Sequence, residues 1–246
     1  MTEQEVKELL IKTNAIMEGH FLLTSGLHSP MYVEKFNVLQ QPKYTEQLCK
    51  ALAEYFADKN IDTVVGPMTG GILLAHEVGK ALGTRAIFTE RVDGKMTFRR
   101  GFSLKPGERV AIVEDIVTTG GSVREVIDVV KAEGAIPVGV GLLVDRSGGK
   151  ATFEDVPAHA LLHLDVTTYK PEECPLCHDN VPMTKRGRTG KEFLMKKEQL
   201  EKVQAEVSVW TYLQSLPPEK NNFKLKILMQ EVADTFLIYS YENDDL

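Results

Sequence analysis

Apolar periodicity predicts a helix at the start of the chain. Val6, Leu9 and Leu10 share one side of residues 2 to 12, and Thr2 and Glu5 stand at capping-box spacing. The stretch from Gly19 to Phe36 places short apolar runs between Gly19, Gly26 and Pro30, the pattern of strands joined by turns. Residues 42 to 58 form a second helix, with Leu48, Leu52, Tyr55 and Phe56 as its buried face. Beyond it the rhythm alternates. TVVGP (63–67) is a strand, 71–82 a helix, RAIFTE (85–90) a strand and VAIVED (110–115) a strand. A helix runs from Ser122 to about Glu133, then IPVGVGLLVD (136–145) and HALLHLD (159–165) are strands. Strands this apolar, alternating with helices, predict an α/β fold: a mostly parallel central sheet flanked by helices.

Two regions leave that rhythm. Residues 91–108, RVDGKMTFRRGFSLKPGE, are charged and lack a clear period, so they read as a long functional loop. After about residue 180 comes a basic linker, KRGRTGKE, and then two helical stretches separated by Pro217 and Pro218. In the first of these, Leu200, Val203, Val207, Trp210 and Leu213 fall at spacings of three and four. The organisation expected is therefore an N-terminal segment (1–40), an α/β core (41–180), and a linker with a C-terminal helical extension (181–246).

Composition narrows the function. A chain of 246 residues, 43% hydrophobic and 26% charged, suits a globular domain with an appendage. The formal net charge of -6 argues against general attraction to nucleic acid or to anionic membrane. No apolar run reaches the ~18 residues of a membrane span. The start, MTEQEVKELL, lacks the basic and apolar regions of a signal peptide. Together with an odd count of three cysteines, this implies a reducing cytoplasm and no structural disulfide.

The chemistry concentrates in Val110 to Ser122, VAIVEDIVTTGGS. A buried strand ends in two carboxylates, Glu114 and Asp115. Thr118, Thr119, Gly120 and Gly121 form a short loop, and a helix begins at Ser122. Ligands of open α/β sheets bind at the carboxyl ends of strands. A glycine loop leading into a helix N-terminus offers amides and partial positive charge to a phosphate. Carboxylates beside it can accept hydrogen bonds from hydroxyls, so the ligand expected is a ribose 5-phosphate. A nucleotide triphosphatase would need a Gly-Lys-Ser/Thr loop, and none of the Gly-Lys pairs at 79, 94, 149 and 190 is followed by Ser or Thr. Gly139 and Gly141 lack the third glycine of a dinucleotide fingerprint and are read as packing positions.

This segment resembles the phosphoribosyl pyrophosphate (PRPP) signature of the type I phosphoribosyltransferases. The resemblance implies that Glu114 and Asp115 hold the ribose hydroxyls and that Thr118 to Ser122 hold the 5-phosphate. A second stretch, TSGLHSPMYVEKF (24–36), is similar to the Ser-Gly-x-x-Ser-Pro segment of the orotate phosphoribosyltransferases, part of a small hood over the base. Ser25 and Gly26 would then face orotate with Thr118. Where many relatives have a basic residue before the Ser-Gly pair, this chain has Thr24, and Lys35 is the candidate to replace its charge. Arg146 matches the arginine that pairs with the orotate carboxylate, a bidentate grip suited to a guanidinium. GPMTGG (66–71), with Thr69, would offer amides to pyrophosphate; many relatives carry a lysine where this chain has Gly70.

The resemblance also implies that loop 91–108 closes over the pyrophosphate of a neighbouring subunit in a homodimer. Arg91, Lys95, Arg99 and Arg100 supply its charge, and Lys95, beside a glycine hinge, is the expected catalytic lysine. Mg2+, held mainly by substrate and water, is the expected cofactor; PRPP and orotate are the expected partners, with no nucleic acid and no membrane. The alternatives are a phosphoribosyltransferase for another base, against which SGLHSP and Arg146 argue, and a PRPP-fold regulator, which the net charge disfavours. Finally, Cys174-Pro-Leu-Cys177 has the spacing of half a zinc site. His159 or His163 could add to it, but nothing in the sequence requires this, and the feature is read as a turn. His20, His28 and His76 show no paired spacing of their own.

Overall fold

A computed structural model describes residues 1–23 and 25–185. By internal contacts they fall into two units, Met1–Phe21 with Gly26–Met183, and Leu22, Leu23 and Ser25 with Thr184 and Lys185. The first unit holds the six-stranded sheet and the helices that cover it. The predicted C-terminal helices lie outside the described residues.

Helix α1 (Glu3–Lys12) has the expected capping box, with Thr2 N–H donating to Glu5 at 2.8 Å and Glu5 N–H to the Thr2 hydroxyl at 3.3 Å. Strands β1 (Ile16–Leu22) and β2 (His28–Val33) are neighbours in a small sheet, the hood. A short helix α2 (Phe36–Leu39) leads into α3 (Pro42–Phe56), whose Leu48, Leu52 and Phe56 are buried as predicted, while Tyr55 is half-buried. Then come β3 (Thr63–Pro67), α4 (Gly70–Leu82), β4 (Arg85–Val92), β5 (Lys95–Phe98), β6 (Arg109–Val117), α5 (Gly121–Ala132), β7 (Ile136–Asp145), β8 (Ala158–His163) and the single turn α6 (Pro175–His178).

The central sheet has six strands in the order β5-β4-β3-β6-β7-β8, all parallel except β5. Alternation along the strands divides the core between the two faces. Val64, Ala111, Val113 and Leu143 pack with α1, α3 and α4. Val65, Val110, Ile112 and Leu142 pack with α5. A Cβ on Gly141 would lie 2.9 Å from the Phe56 ring, so close packing explains this glycine as the sequence suggested. Phe56 is 1% exposed, and burying such a ring contributes roughly 1.5–3 kcal/mol.

Chain order reverses between β3 and β6. From β3 the chain moves outward to β4 and β5; it then returns to β6 and proceeds the other way to β7 and β8. A crevice opens at such a switch point, outside the carboxyl ends of the two strands.

One prediction is corrected. Residues 91–108 are not a loop throughout, because β4 and β5 form an antiparallel hairpin with Val92 opposite Lys95. Asp93 and Gly94, at φ 49° and 78°, make the turn. An Asp-Gly pair is the favoured two-residue hairpin turn, since both positions need positive φ. That signal is present in the sequence, but the surrounding charges obscure it.

Candidate functional site

Glu114 and Asp115 end the continuous buried run of β6, 9% and 2% exposed. They sit at the switch point, with Glu114 opposite Leu142 of β7. The Asp115 carboxylate is fixed from three sides. Its Oδ1 accepts from Ile116 N–H at 2.7 Å and from Lys35 at 2.9 Å. Lys35 also lies 2.8 Å from Oδ2, which itself receives no directional hydrogen bond. Gly70 closes the third side, since a Cβ there would come within 1.7 Å of Oδ2. This turn therefore has no room for a side chain at 70. Lys35 reaches the acid pair from the start of α2, just past the hood.

Burial, and next the adjacent Asp115 charge, push the Glu114 carboxyl up to about 8, well above its ordinary 4.5. Its Oε1 accepts the Asp115 N–H at 2.9 Å. The sign of the linkage follows from that upward shift. The unfolded chain releases this proton near its ordinary pKa, and the folded chain keeps it until about pH 8. The stability it contributes is complete below the ordinary value and is lost as pH rises through the folded one. The stability of the ligand-free protein should fall between pH 5 and 8, by on the order of a few kcal/mol, and its thermal midpoint should fall with it. Glu114→Gln should flatten that slope in a melting series over the same range; an unchanged slope would place the titration elsewhere.

After Val117 the chain bends through Thr118 and Thr119, both exposed, into Gly120 at φ 79°, the N-cap of α5. No side chain caps this helix and no acidic residue occupies its first turn. Its first amides thus face a hollow of about 70 Å³, lined by Glu114 and the segment from Ile116 to Val123. Arg124 braces the bend, donating to the carbonyls of Thr119 at 2.8 Å and Thr152 at 3.1 Å. It was not singled out in the sequence, where only its place just after the glycines hints at such a role.

Thr69 is exposed and precedes α4, another helix without a side-chain cap. The Met68–Thr69 peptide is cis. Because Gly70 abuts Asp115, this turn borders the acid pair from the β3 side, and two helix N-termini flank it.

Arg146 follows β7, and its N–H donates to the Val117 carbonyl at 2.8 Å, next to the threonine bend. Its Nε is buried with no hydrogen-bond partner among the described residues. Burial lowers the guanidinium pKa, opposed by nearby Tyr32 of the hood. A half-buried guanidinium whose buried Nε is unsatisfied, and which has no acidic partner among the described residues, is suited to receiving an anion.

The cations of the hairpin stand apart. Arg91 donates to Gly94 O at 2.6 Å and lies 2.8 Å from Glu125 of α5. Arg100 pairs with Glu90 at 3.3 Å. Lys95 is exposed and makes no ion pair among the described residues. Thr89 is level with Pro67 at the sheet's carboxyl end, and Val92 and Lys95 lie three residues further on, roughly 10 Å beyond it. Of the hood residues, Gly26 is exposed at φ 81°. Ser25 is exposed and belongs to the second unit.

The structure thus gathers Glu114, Asp115, Lys35, the 118–122 bend, the 69–70 turn and Arg146, and leaves Lys95 and Arg91 on the projecting hairpin. Residues 37–155 match the family model of the phosphoribosyl transferase domain. The chain is 52% identical over 187 residues to the orotate phosphoribosyltransferase of Desulforamulus reducens, covering 76% of this chain and 97% of that protein. It is 49% identical over 185 residues to the orotate phosphoribosyltransferase of Thermotoga maritima, covering 75% and 98%. Among solved structures it superposes on the orotate phosphoribosyltransferase of Mycobacterium tuberculosis with a TM-score of 0.56, at 24% identity over 66% of this chain and 95% of that one. For the enzyme of Aeropyrum pernix the TM-score is 0.55, at 24% identity over 65% and 93%.

Proposed function

The chain belongs to the orotate phosphoribosyltransferase family, and from that premise we propose how its residues divide the work. The reaction moves the phosphoribosyl group of PRPP to orotate, giving orotidine 5'-phosphate and pyrophosphate, a step of pyrimidine nucleotide synthesis. The 5-phosphate takes the amides of the 118–122 bend and the hydroxyls of Thr118, Thr119 and Ser122. The ribose hydroxyls donate to Glu114 and Asp115. The amides around Thr69 receive the pyrophosphate, with Lys35 between it and Asp115.

As the bond from C1 to the pyrophosphate oxygen breaks, positive charge grows on the ribose, and the adjacent Asp115 carboxylate favours it. A ring nitrogen of orotate then forms the new bond to C1, and its proton leaves with the pyrophosphate. Arg146 holds the orotate carboxylate so that this nitrogen faces C1, with Thr118 and Gly26 around the base. Lys95 balances the charge on the leaving pyrophosphate. The hairpin that carries it projects beyond the sheet, which suits delivery to the crevice of a second copy in a homodimer. Arg91, tied to Glu125, shapes the hairpin turn rather than meeting ligand.

Mg2+ suits the oxygen chemistry of this crevice. With Lys35 already on Asp115, the ion would be held mainly by substrate oxygens and water, and would neutralise pyrophosphate charge. Among the described residues no helix is long and apolar enough to cross a membrane, in keeping with a cytoplasmic enzyme.

The observation that carries the assignment to orotate is the half-buried Arg146 beside the threonine bend, whose buried Nε lacks a hydrogen-bond partner among the described residues. The test follows orotate absorbance with PRPP and Mg2+, against adenine, xanthine and uracil as rival acceptors. Turnover with orotate alone is the expected result, and preference for a base without a carboxylate would overturn it. Arg146→Ala should raise the KM for orotate by about 100-fold, since losing one partner of a buried charge pair costs ~2–5 kcal/mol. The KM for PRPP should move little, and Arg146→Lys should fall between.

A further inference from the structure

The geometry points to a structural zinc site formed by His20, His28, Cys174 and Cys177, which shares no residue with the acid-pair site and is independent of the assignment above. Residues distant in sequence converge here. His20 comes from β1, His28 opens β2, Cys174 caps α6 and Cys177 lies within it. One ligand atom from each lies within 4.8 Å of all the others. His20 Nε2 is 3.0 Å from His28 Nδ1 and 3.7 Å from each sulfur, and Cys177 Sγ is 3.2 Å from His28 Nδ1. A tetrahedral zinc, with bonds of about 2.0–2.1 Å to nitrogen and 2.3 Å to sulfur, needs ligand atoms roughly 3.3–3.8 Å apart.

The surroundings fit as well. His20, His28 and Cys174 are 3%, 5% and 3% exposed, so they form a closed pocket with Cys177 at its mouth. His20 Nδ1 stands 2.8 Å from the Val181 carbonyl, which can only accept. The proton therefore sits on Nδ1, and the Nε2 lone pair faces the centre, the outer hydrogen bond typical of a zinc-bound histidine. Backbone pairing between His28 and Tyr169, at 2.8 and 2.9 Å, sets the register of the hood against the segment leading to the cysteines. Binding releases one proton from each thiol. Two thiolates, two neutral imidazoles and Zn2+ then sum to no net charge, which burial requires. Two imidazoles and two thiolates favour zinc over a hard cation such as Mg2+. The sequence offered only the Cys-Pro-Leu-Cys half. His159 and His163, considered there as its complement, take no part, since His163 pairs with Glu3 and His159 stacks on Tyr55.

The full-length chain, stripped by chelator under reducing conditions, would be titrated with Co2+. The expected result is the intense visible spectrum of tetrahedral cobalt thiolate, saturating at one equivalent, displaced by one equivalent of Zn2+ and unaffected by excess Mg2+. Cys174→Ser/Cys177→Ser should abolish the band. Chelation of the zinc form should lower the thermal midpoint by about 5–10 °C. A weak octahedral spectrum, a band that persists in the double variant, or a Cys174–Cys177 disulfide with no metal uptake after reduction would each overturn the site. Should the double variant fail to fold, the wild-type titration decides alone.

Discussion

Asp115→Asn should lower the turnover of orotate by about 10³-fold, while the protein stays folded. The carboxylate is 2% exposed, beside the place proposed for the ribose, and the substitution keeps its shape but removes its charge. Removing one preorganised electrostatic contact costs on the order of 10²–10³ in kcat, and here Lys35 is left facing the reacting centre without its counter-charge as well. The fold should tolerate the change, because Lys35 is one-third exposed and can turn to water. Relief of the charge on Glu114 also offsets part of the loss. Steady-state kinetics with a melting curve on the same sample test this, and near-normal turnover would exclude Asp115 from the chemistry.

Gly70→Ala is the second large effect, expected at about 10²-fold in kcat. The new methyl would stand 1.7 Å from Asp115 Oδ2 and 2.8 Å from its Cγ, so the carboxylate has to leave its seat. Displacing a reacting group by about 1 Å can cost 10²-fold, and overpacking of this kind costs ~1–3 kcal/mol of stability. If the methyl acts only through the carboxylate, adding it to Asp115→Ala should change kcat little further. A second full 10²-fold loss in that double variant would mean that the 69–70 turn acts through another route.

The α/β core was legible because its strands are buried on both faces and its helices carry strong apolar stripes. TVVGP and IPVGVGLLVD match β3 and β7 residue for residue. The acid pair and the threonine bend were legible for the same reason: one continuous strand, loop and helix carries them. What the sequence hid depends on contacts between distant segments. Lys35 meets Asp115 across 80 positions. The place of Gly70 follows from a carboxylate on another strand, and the histidines reach the cysteines only through the path of the hood. The hairpin at Asp93–Gly94 was local and readable, but the charges around it favoured a loop.

The sheet stops on β5, only four residues long, with Arg99 and Arg100 immediately after it. Its outer side offers a neighbouring chain about two backbone pairs, flanked by positive charge, too few to recruit another strand. On this side crowded enzyme molecules should resist ribbon-like self-association.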